Sequence, residues 1–479
     1  MEERYIASID LGTSKLGLCV ARVKGDDVQI VYYKETPSEG IRGSVVTNPM
    51  KASGPLRQAI EEAEKELMIK ILQVVVGMPR NDVRQETATG EIRRTNPDEY
   101  ISAEEVESLK AMALETYPLD DADNQIMYGA VAQSFDIDDM TSLVENDVVG
   151  TLSDKLEGNF KVFIGSRRAT TAVDKVFNSM DIAIAKKYFL PDVVARIVLS
   201  EEEKQNGVAL VDIGAGVTSV AIYHGGIMRY YAAIPFGGKA ITGDIRTECG
   251  ISEDLAEKIK RKFGACLPAK LASLSEKVLQ IRLTEPYKEV SVKYISEVID
   301  ARAREIIDAV LWYIQESGLQ NNLRSGVVLT GGSASLVNLA NLMKEVSGYD
   351  VRTGFPRHLF SASVGSGIYS PSATSAIGMI LAAKEDRLPD CITRPAAPKE
   401  AAQAEPEAAA LEPDADFSSG EQGTLEGEFA IPEQPEEAPR KEKPKKKERK
   451  APRVMFWHKA VDSVKTGVLE FYDEITKGE

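Results

Sequence analysis

Three short glycine-bearing turns concentrate the chemistry of this chain. Asp10-Leu11-Gly12-Thr13-Ser14-Lys15 ends one apolar run, and Asp212-Ile213-Gly214-Ala215-Gly216-Val217-Thr218 ends another. Glycine lets the N–H groups of a tight turn approach phosphate oxygens closely. The hydroxyls of Thr13, Ser14 and Thr218 add donors to the same oxygens, and Lys15 adds a positive charge. Asp10 and Asp212 close their strands facing one gap, the donor set that holds a hydrated Mg²⁺ between carboxylates and phosphate. A third turn, Thr330-Gly331-Gly332-Ser333-Ala334, follows the apolar Val327–Leu329. Backbone this bare lies flat against a base or takes a phosphate at the start of the next helix. Each turn alone also reads as a hairpin glycine with positive φ. Three in this order, each behind an apolar strand, point much more sharply to a nucleotide.

Other chemistries find little material. The four cysteines, Cys19, Cys249, Cys266 and Cys391, form no CxxC pair, and the three histidines lie far apart. A zinc ribbon, a disulfide framework and a histidine-centred triad are therefore disfavoured, and a reducing compartment fits. No leader peptide is expected at the N-terminus, and no apolar run reaches the ~18 residues of a membrane span. The chain has 479 residues and a net charge of −16, which argues against bulk nucleic-acid binding.

The elements that position these turns repeat. Apolar strands over 5–11, 16–23 and 28–34 are echoed over 207–213, 218–224 and 227–234, with Asp10 and Asp212 202 residues apart. Two meanders with the same turn predict a duplicated α/β fold with a cleft between the halves. Helical periodicity runs over 54–68, 103–115, 171–179, 252–262, 290–315 and 336–346.

Beyond about residue 390 the composition changes. Ala396–Pro439 is rich in Pro, Ala and Glu, with twelve acidic residues against Lys399, and reads as a tether. Arg440–Arg453 carries nine basic and two acidic residues, net +7. After it, Val454, Trp457, Val461, Val464, Val468, Phe471 and Ile475 recur at steps of three and four, with Phe456 widening the stripe. This is one continuous helical face of about 33 Å. It suits the interface of a membrane, a coiled-coil seam or a partner groove. The basic block directly upstream favours anionic lipid, since each Lys or Arg near such a surface contributes about 1 kcal/mol.

In these turns the chain resembles the actin-like ATPases. Asp10–Lys15, Val211–Thr218 and Leu329–Ala334 are similar to that superfamily's phosphate 1, phosphate 2 and adenosine motifs. Glu257, Lys260 and Arg261 fall in an ExxKR pattern that holds ribose and adenine in DnaK-type chaperones. Within the superfamily the resemblance is to FtsA, carried by Leu11–Lys15, Pro235–Gly238 with Ile241–Ile245, Ile295–Arg302 and Val328–Ser333, over roughly residues 4–385 and again at the C-terminal tip. It implies ATP and Mg²⁺ as ligands, with Asp10 and Asp212 positioning metal-bound water. Gly12, Thr13, Ser14, Lys15, Gly214, Gly216, Thr218, Gly238, Glu257, Lys260, Arg261, Gly331, Gly332 and Ser333 would line the nucleotide.

The resemblance further implies subdomain 1A over 1–82, 162–206 and 366–390, and a 1C subdomain over 83–161. Subdomain 2A would cover 207–243 and 323–365, and 2B 244–322, before a linker over 391–453 and a membrane-targeting helix over 454–479. The implied role is a cell-division protein at the cytoplasmic face of the inner membrane. It would polymerise, anchor FtsZ filaments through their C-terminal peptide and recruit later division proteins through 1C. Lys288 and Arg302 would form a basic spot for the acidic FtsZ peptide. One departure stands out: DnaK-type chaperones and MreB place a Glu-Pro pair before the second phosphate turn, where this chain reads Phe189-Leu190-Pro191. Without a carboxylate to orient water, ATP hydrolysis is expected to be slow or absent. A small-molecule kinase of the same superfamily and another membrane-associated actin homologue for pilus or rod assembly remain as alternatives.

Overall fold

The computed structural model describes residues 3–393 apart from 139, 272–276 and 282–287. The tether, the basic block and the stripe from Phe456 to Ile475 lie outside the described residues.

The chain opens with a meander, β1 (Glu3–Leu11), β2 (Lys15–Lys24) and β3 (Asp27–Pro37), followed by helix α1 (Pro49–Leu67) and strand β4 (Gln73–Gly77). Helix α1 starts five residues before its apolar periodicity. Asn48 caps it by accepting from the Lys51 N–H, and Pro49 occupies the first turn, where no N–H is needed. The chain then leaves for β5 (Arg84–Arg93), α2 (Ala103–Thr116), β6 (Gln125–Ile137), β7 (Met140–Leu143) and β8 (Lys155–Ser166). It returns with α3 (Arg167–Asn178), β9 (Ala183–Tyr188) and α4 (Leu190–Val198).

A second meander follows, β10 (Val208–Ile213), β11 (Thr218–His224) and β12 (Ile227–Ile234), with helices α5 (Gly238–Cys249), α6 (Glu253–Phe263) and α7 (Val292–Glu316). Strand β13 (Val327–Thr330), α8 (Leu339–Ser347), β14 (Val351–Thr353), β15 (Ser361–Ala362) and α9 (Thr374–Glu385) follow, and shorter strands and helices fill the connections.

The duplication is explicit in the sheets. One runs β9-β4-β1-β2-β3-β15 and the other β14-β13-β10-β11-β12. In both, the first meander strand pairs antiparallel with the second and parallel with a later strand, β4 in one half and β13 in the other. Each central strand is buried on both faces, which explains the near-continuous apolar runs Ile6–Ile9 and Val208–Val211. The strands therefore present Asp10 and Asp212 at equivalent ends.

The excursion forms its own sheet, β7-β6-β8-β5, with α2 packed on it around Leu109, Phe135 and Phe160. Its attachment to the main body is aromatic and polar: Phe163 stacks on Phe189 at 4.5 Å, Tyr231 meets both edge-on, and Gln133 and Lys161 donate to the Met228 and Arg229 carbonyls at 2.9 and 2.6 Å.

Candidate functional site

The two Asp-X-Gly turns are closed by the same hydrogen bond. Gly12 N–H donates to the Lys15 carbonyl at 3.0 Å, and Gly214 N–H to the Val217 carbonyl at 2.9 Å. Register places Asp10 opposite Gly17 and Asp212 opposite Ser219, one residue short of each turn. The turns meet across the cleft, since a Cβ on Gly216 would lie 2.7 Å from Thr13 Oγ1. Thr13 Oγ1 in turn accepts the Ser44 N–H at 3.0 Å, which fixes the first turn to the loop after β3. Ser14 is exposed at the tip.

The third turn closes the floor. Gly331 has φ +84, and a Cβ there would meet Asp212 Oδ1 at 2.2 Å, so only glycine fits. Ser333 Oγ donates to the Gly214 carbonyl at 3.1 Å and ties the third turn to the second. Gly332 is exposed beside it. Gly238, at the start of α5, donates its N–H to the same Gly214 carbonyl at 2.9 Å, and a Cβ there would strike Ser333 Oγ.

Helix α6 brings two of the three ExxKR residues to this point. Lys260 Nζ donates to the Gly238 carbonyl and to Thr242 Oγ1, both at 2.8 Å, and pairs with Glu257 at 2.7 Å. Burial lowers the pKa of this ammonium, and Glu257 opposes the shift. Arg261, one position further round the helix, is exposed. Beside Thr13 opens a polar cavity of about 380 Å³ whose walls include Arg42, Lys51 and Lys239.

Two expectations need correction. The Thr218 hydroxyl is not available to phosphate: the residue is fully buried, and Oγ1 donates to the Phe236 carbonyl at 2.9 Å. It lies on β11, whose first six positions are all buried, so neither face of the strand leaves this hydroxyl open. Lys15 keeps its positive charge but shares it. It pairs with Glu35, which also accepts from Tyr33 Oη at 2.7 Å and Ser372 Oγ at 2.8 Å. Burial pushes the Glu35 pKa up, but Lys15 and these donors outweigh it and leave it lowered. Arg302 is not a free cation. Its guanidinium grips Asp244 with two bonds of 2.6 and 3.0 Å and Glu305 with a third of 2.5 Å, so one cation faces two carboxylates. The side chain of Lys288 lies outside the described part.

Arg80 is the site residue that the motifs did not reveal. It follows β4 in Met78-Pro79-Arg80 and reaches between the two halves. Its guanidinium donates to Asp212, lies 3.8 Å from Asp10, and donates to Ser375 Oγ at 2.7 Å. Burial raises the Asp10 pKa, against the pull of Arg80 and with a further push from Asp212. Burial alone would lower the Arg80 pKa, but Asp212 and Asp10 outweigh it and raise it. A signal did exist: an arginine directly beyond an apolar strand, at the strand edge where α/β sheets bind ligands.

The donor set fits a nucleoside triphosphate with Mg²⁺. Added Cβ atoms on Gly216 and Gly331 would strike the turns they face, at 2.7 and 2.2 Å, while those on Gly12 and Gly214 would strike the carbonyls that close their own turns, at 2.5 and 2.9 Å. Asp10 and Asp212 are the carboxylates that would hold a metal through water. Among the described residues no group of three His, Cys, Asp or Glu side chains stands ready for a metal, so phosphate oxygens would complete the shell.

Comparisons with known proteins place this geometry. The family described as "Cell division protein FtsA" matches residues 209–378, which hold the second and third turns. The FtsA of Neisseria meningitidis is 30% identical over 390 residues, covering 80% of this chain and 91% of its own length. That of Borreliella burgdorferi is also 30% identical, over 384 residues and the same shares. A chain of the PilM-PilN type IV pilus biogenesis complex shares the fold, with a TM-score of 0.56 at 16% identity over 79% of this chain and 98% of that one. The duplicated sheets are an actin-like fold, and the similarity to full-length relatives runs through both halves: this chain belongs to the FtsA family of cell division proteins.

Proposed function

We propose that the chain binds Mg²⁺-ATP in the cleft between the two Asp-X-Gly turns and turns it over slowly. The observation that carries this reading is the meeting of Thr13 and Gly216 across the cleft, with Gly331 closing against Asp212. The backbone N–H groups of Thr13–Ser14 and Ala215–Gly216 hold the phosphates, and the Glu257–Lys260 pair supports the α5 start on the nucleoside side. Asp10 and Asp212 would hold a Mg²⁺ through water, and the metal would neutralise phosphate charge. Slow turnover follows from Leu190-Pro191, where no carboxylate precedes the proline. The nearest acid, Asp192, is engaged by Arg196 at 2.7 Å, which itself reaches Glu385. Titration of the full chain with a fluorescent ATP analogue tests binding. Multiple-turnover phosphate release faster than about one per minute would overturn the slow-turnover reading.

In the cell-division role of the family, the chain assembles with copies of itself and links FtsZ filaments, by their C-terminal peptide, to anionic lipid. The small subdomain spanning Arg84–Ser166 receives later division proteins. The lipid contact belongs to the sequence 440–479, where a +7 block precedes the amphipathic stripe. Its test is sedimentation with anionic vesicles of the full chain against a chain lacking 454–479.

A further inference from the structure

Two buried carboxylates from opposite halves of the fold converge on the cleft, and a guanidinium already stands between them. The side chain of Arg80 is 12% exposed, that of Asp212 8% and that of Asp10 17%. Two acids this dry would repel each other strongly without a counter-charge. We propose that Arg80 is a built-in counter-cation for the Asp10–Asp212 pair, so that this cleft accepts a nucleotide with only weak dependence on a divalent metal. The inference rests on the ATP reading for its nucleotide part and on geometry alone for the rest.

Arg80 is held in place by more than its charge. Met78 N–H donates to the Tyr188 carbonyl at 2.8 Å, extending the β4–β9 pairing past the strand, and Pro79 then fixes φ. The Arg80 N–H reaches Ser44 Oγ at 3.4 Å, and the Arg80 carbonyl accepts Tyr231 Oη at 2.9 Å. Tyr231 is set by its own N–H, which donates to Gln85 Oε1 at 3.0 Å, and by its rings against Phe163 and Phe189. Ser375 Oγ, on α9, fixes the guanidinium itself. A backbone secured on both sides and a planar fork aimed at carboxylates form a preorganised site. A mobile surface arginine would have none of these supports.

Charge counting gives the functional consequence. Asp10, Asp212 and Arg80 sum to −1, where the two acids alone would present −2 to an incoming polyphosphate. A resident cation thus does part of what a metal otherwise does. It is already in place before a nucleotide arrives, so no aqueous metal ion has to be dehydrated to supply that charge. An arginine at this distance also competes with a metal for the same oxygens, so Mg²⁺ without nucleotide gains little by entering.

The experiment uses the full chain, with Arg80→Gln and Arg80→Lys beside it. In the first arm, ATP affinity is measured in excess Mg²⁺ and in EDTA. The wild-type Kd is expected to rise less than about tenfold on metal removal, and that of R80Q by about a hundredfold or more, within the range for breaking a buried charge pair. In the second arm, melting temperature is followed with Mg²⁺ alone. The wild type should not shift, whereas R80Q should start lower and rise as the metal replaces the lost guanidinium. R80K, which keeps the charge and loses the fork, should fall between.

Equal losses on EDTA in wild type and R80Q, or a wild type stabilised by Mg²⁺ alone, would overturn the proposal. If R80Q does not fold, the wild-type and R80K arms decide it. If the wild type binds no ATP in either buffer, the ATP reading fails, and the Mg²⁺ melt still judges Arg80.

Discussion

At the scale of single residues, the cleft is built from absences as much as from side chains. Gly216 shows this most directly, because an added Cβ would meet Thr13 at both Oγ1 and Cγ2, 2.7 and 2.9 Å away. Gly216→Val should push the turns apart, weaken ATP binding at least about tenfold, read by nucleotide titration, and lower stability by about 1–3 kcal/mol. The glycines were legible in the sequence because phosphate turns leave a pattern in residue types. Arg80 showed only as an arginine beyond an apolar strand, because its role depends on where the end of β4 lies relative to β10 in the other sheet, which no local spacing records. Thr218 and Arg302 failed for a related reason. Type and position suggested a donor and a cation, but the Phe236 carbonyl and the Asp244–Glu305 pair had already claimed them.

At the scale of elements, caps and partners decided what periodicity could not. Helix α1 begins at Pro49 because Asn48 caps it, although its apolar pattern starts later. The helix expected from Leu336 begins at Leu339 instead, since Asn338 adopts φ +64 and a short 3₁₀ turn, Gly332–Ser335, precedes it. Helix α9 escaped detection because it is buried on all sides and shows no polar face. In the small subdomain, α2 starts in a capping box. Ser102 accepts the Glu105 N–H and Glu105 accepts the Ser102 N–H, while Arg94 grips the same carboxylate at 2.9 and 3.2 Å.

These contacts lower the Glu105 pKa, with Arg94 the leading cause. A depressed carboxylate stabilises the fold above its unfolded pKa and loses that contribution as pH falls through the folded value. Glu105→Gln should therefore cost about 1 kcal/mol near pH 7, and the difference should close below about pH 4, read from urea midpoints at both pH values. Arg94→Ala should cost more, about 2–3 kcal/mol, because this almost fully buried guanidinium also serves the carbonyls of Glu99 and Ser153. Nucleotide titration of the same variant should match the wild type.

At the scale of the whole molecule, the duplicated architecture was readable because two meanders with one turn survive in the sequence 202 residues apart. The order of strands within each sheet was not, since it is set by parallel pairings between segments separated by whole helices. Division of labour along the chain gives two predictions. Replacing Arg302 with Glu would set a third carboxylate against Asp244 and Glu305, and should lower thermal stability by about 1–2 kcal/mol without changing ATP affinity. Removing 454–479 should abolish co-sedimentation with anionic vesicles and leave ATP affinity unchanged; retained sedimentation would place the lipid contact elsewhere.

The small subdomain's attachment carries a consequence for how such a chain can be re-engineered. Its first and last strands are neighbours, with Gln85 opposite Phe163 and Glu86 opposite Val162. The two ends of the excursion are therefore about 5 Å apart. Replacing 86–162 by a two-residue turn converts the stubs into a hairpin and keeps both Phe163 and Gln85, the residues that seat Tyr231. Among the described residues, Tyr128 alone of the buried main core lies inside that span. The segment is a cassette: a lineage can exchange it, and a laboratory can swap it, without rebuilding the sheet it interrupts.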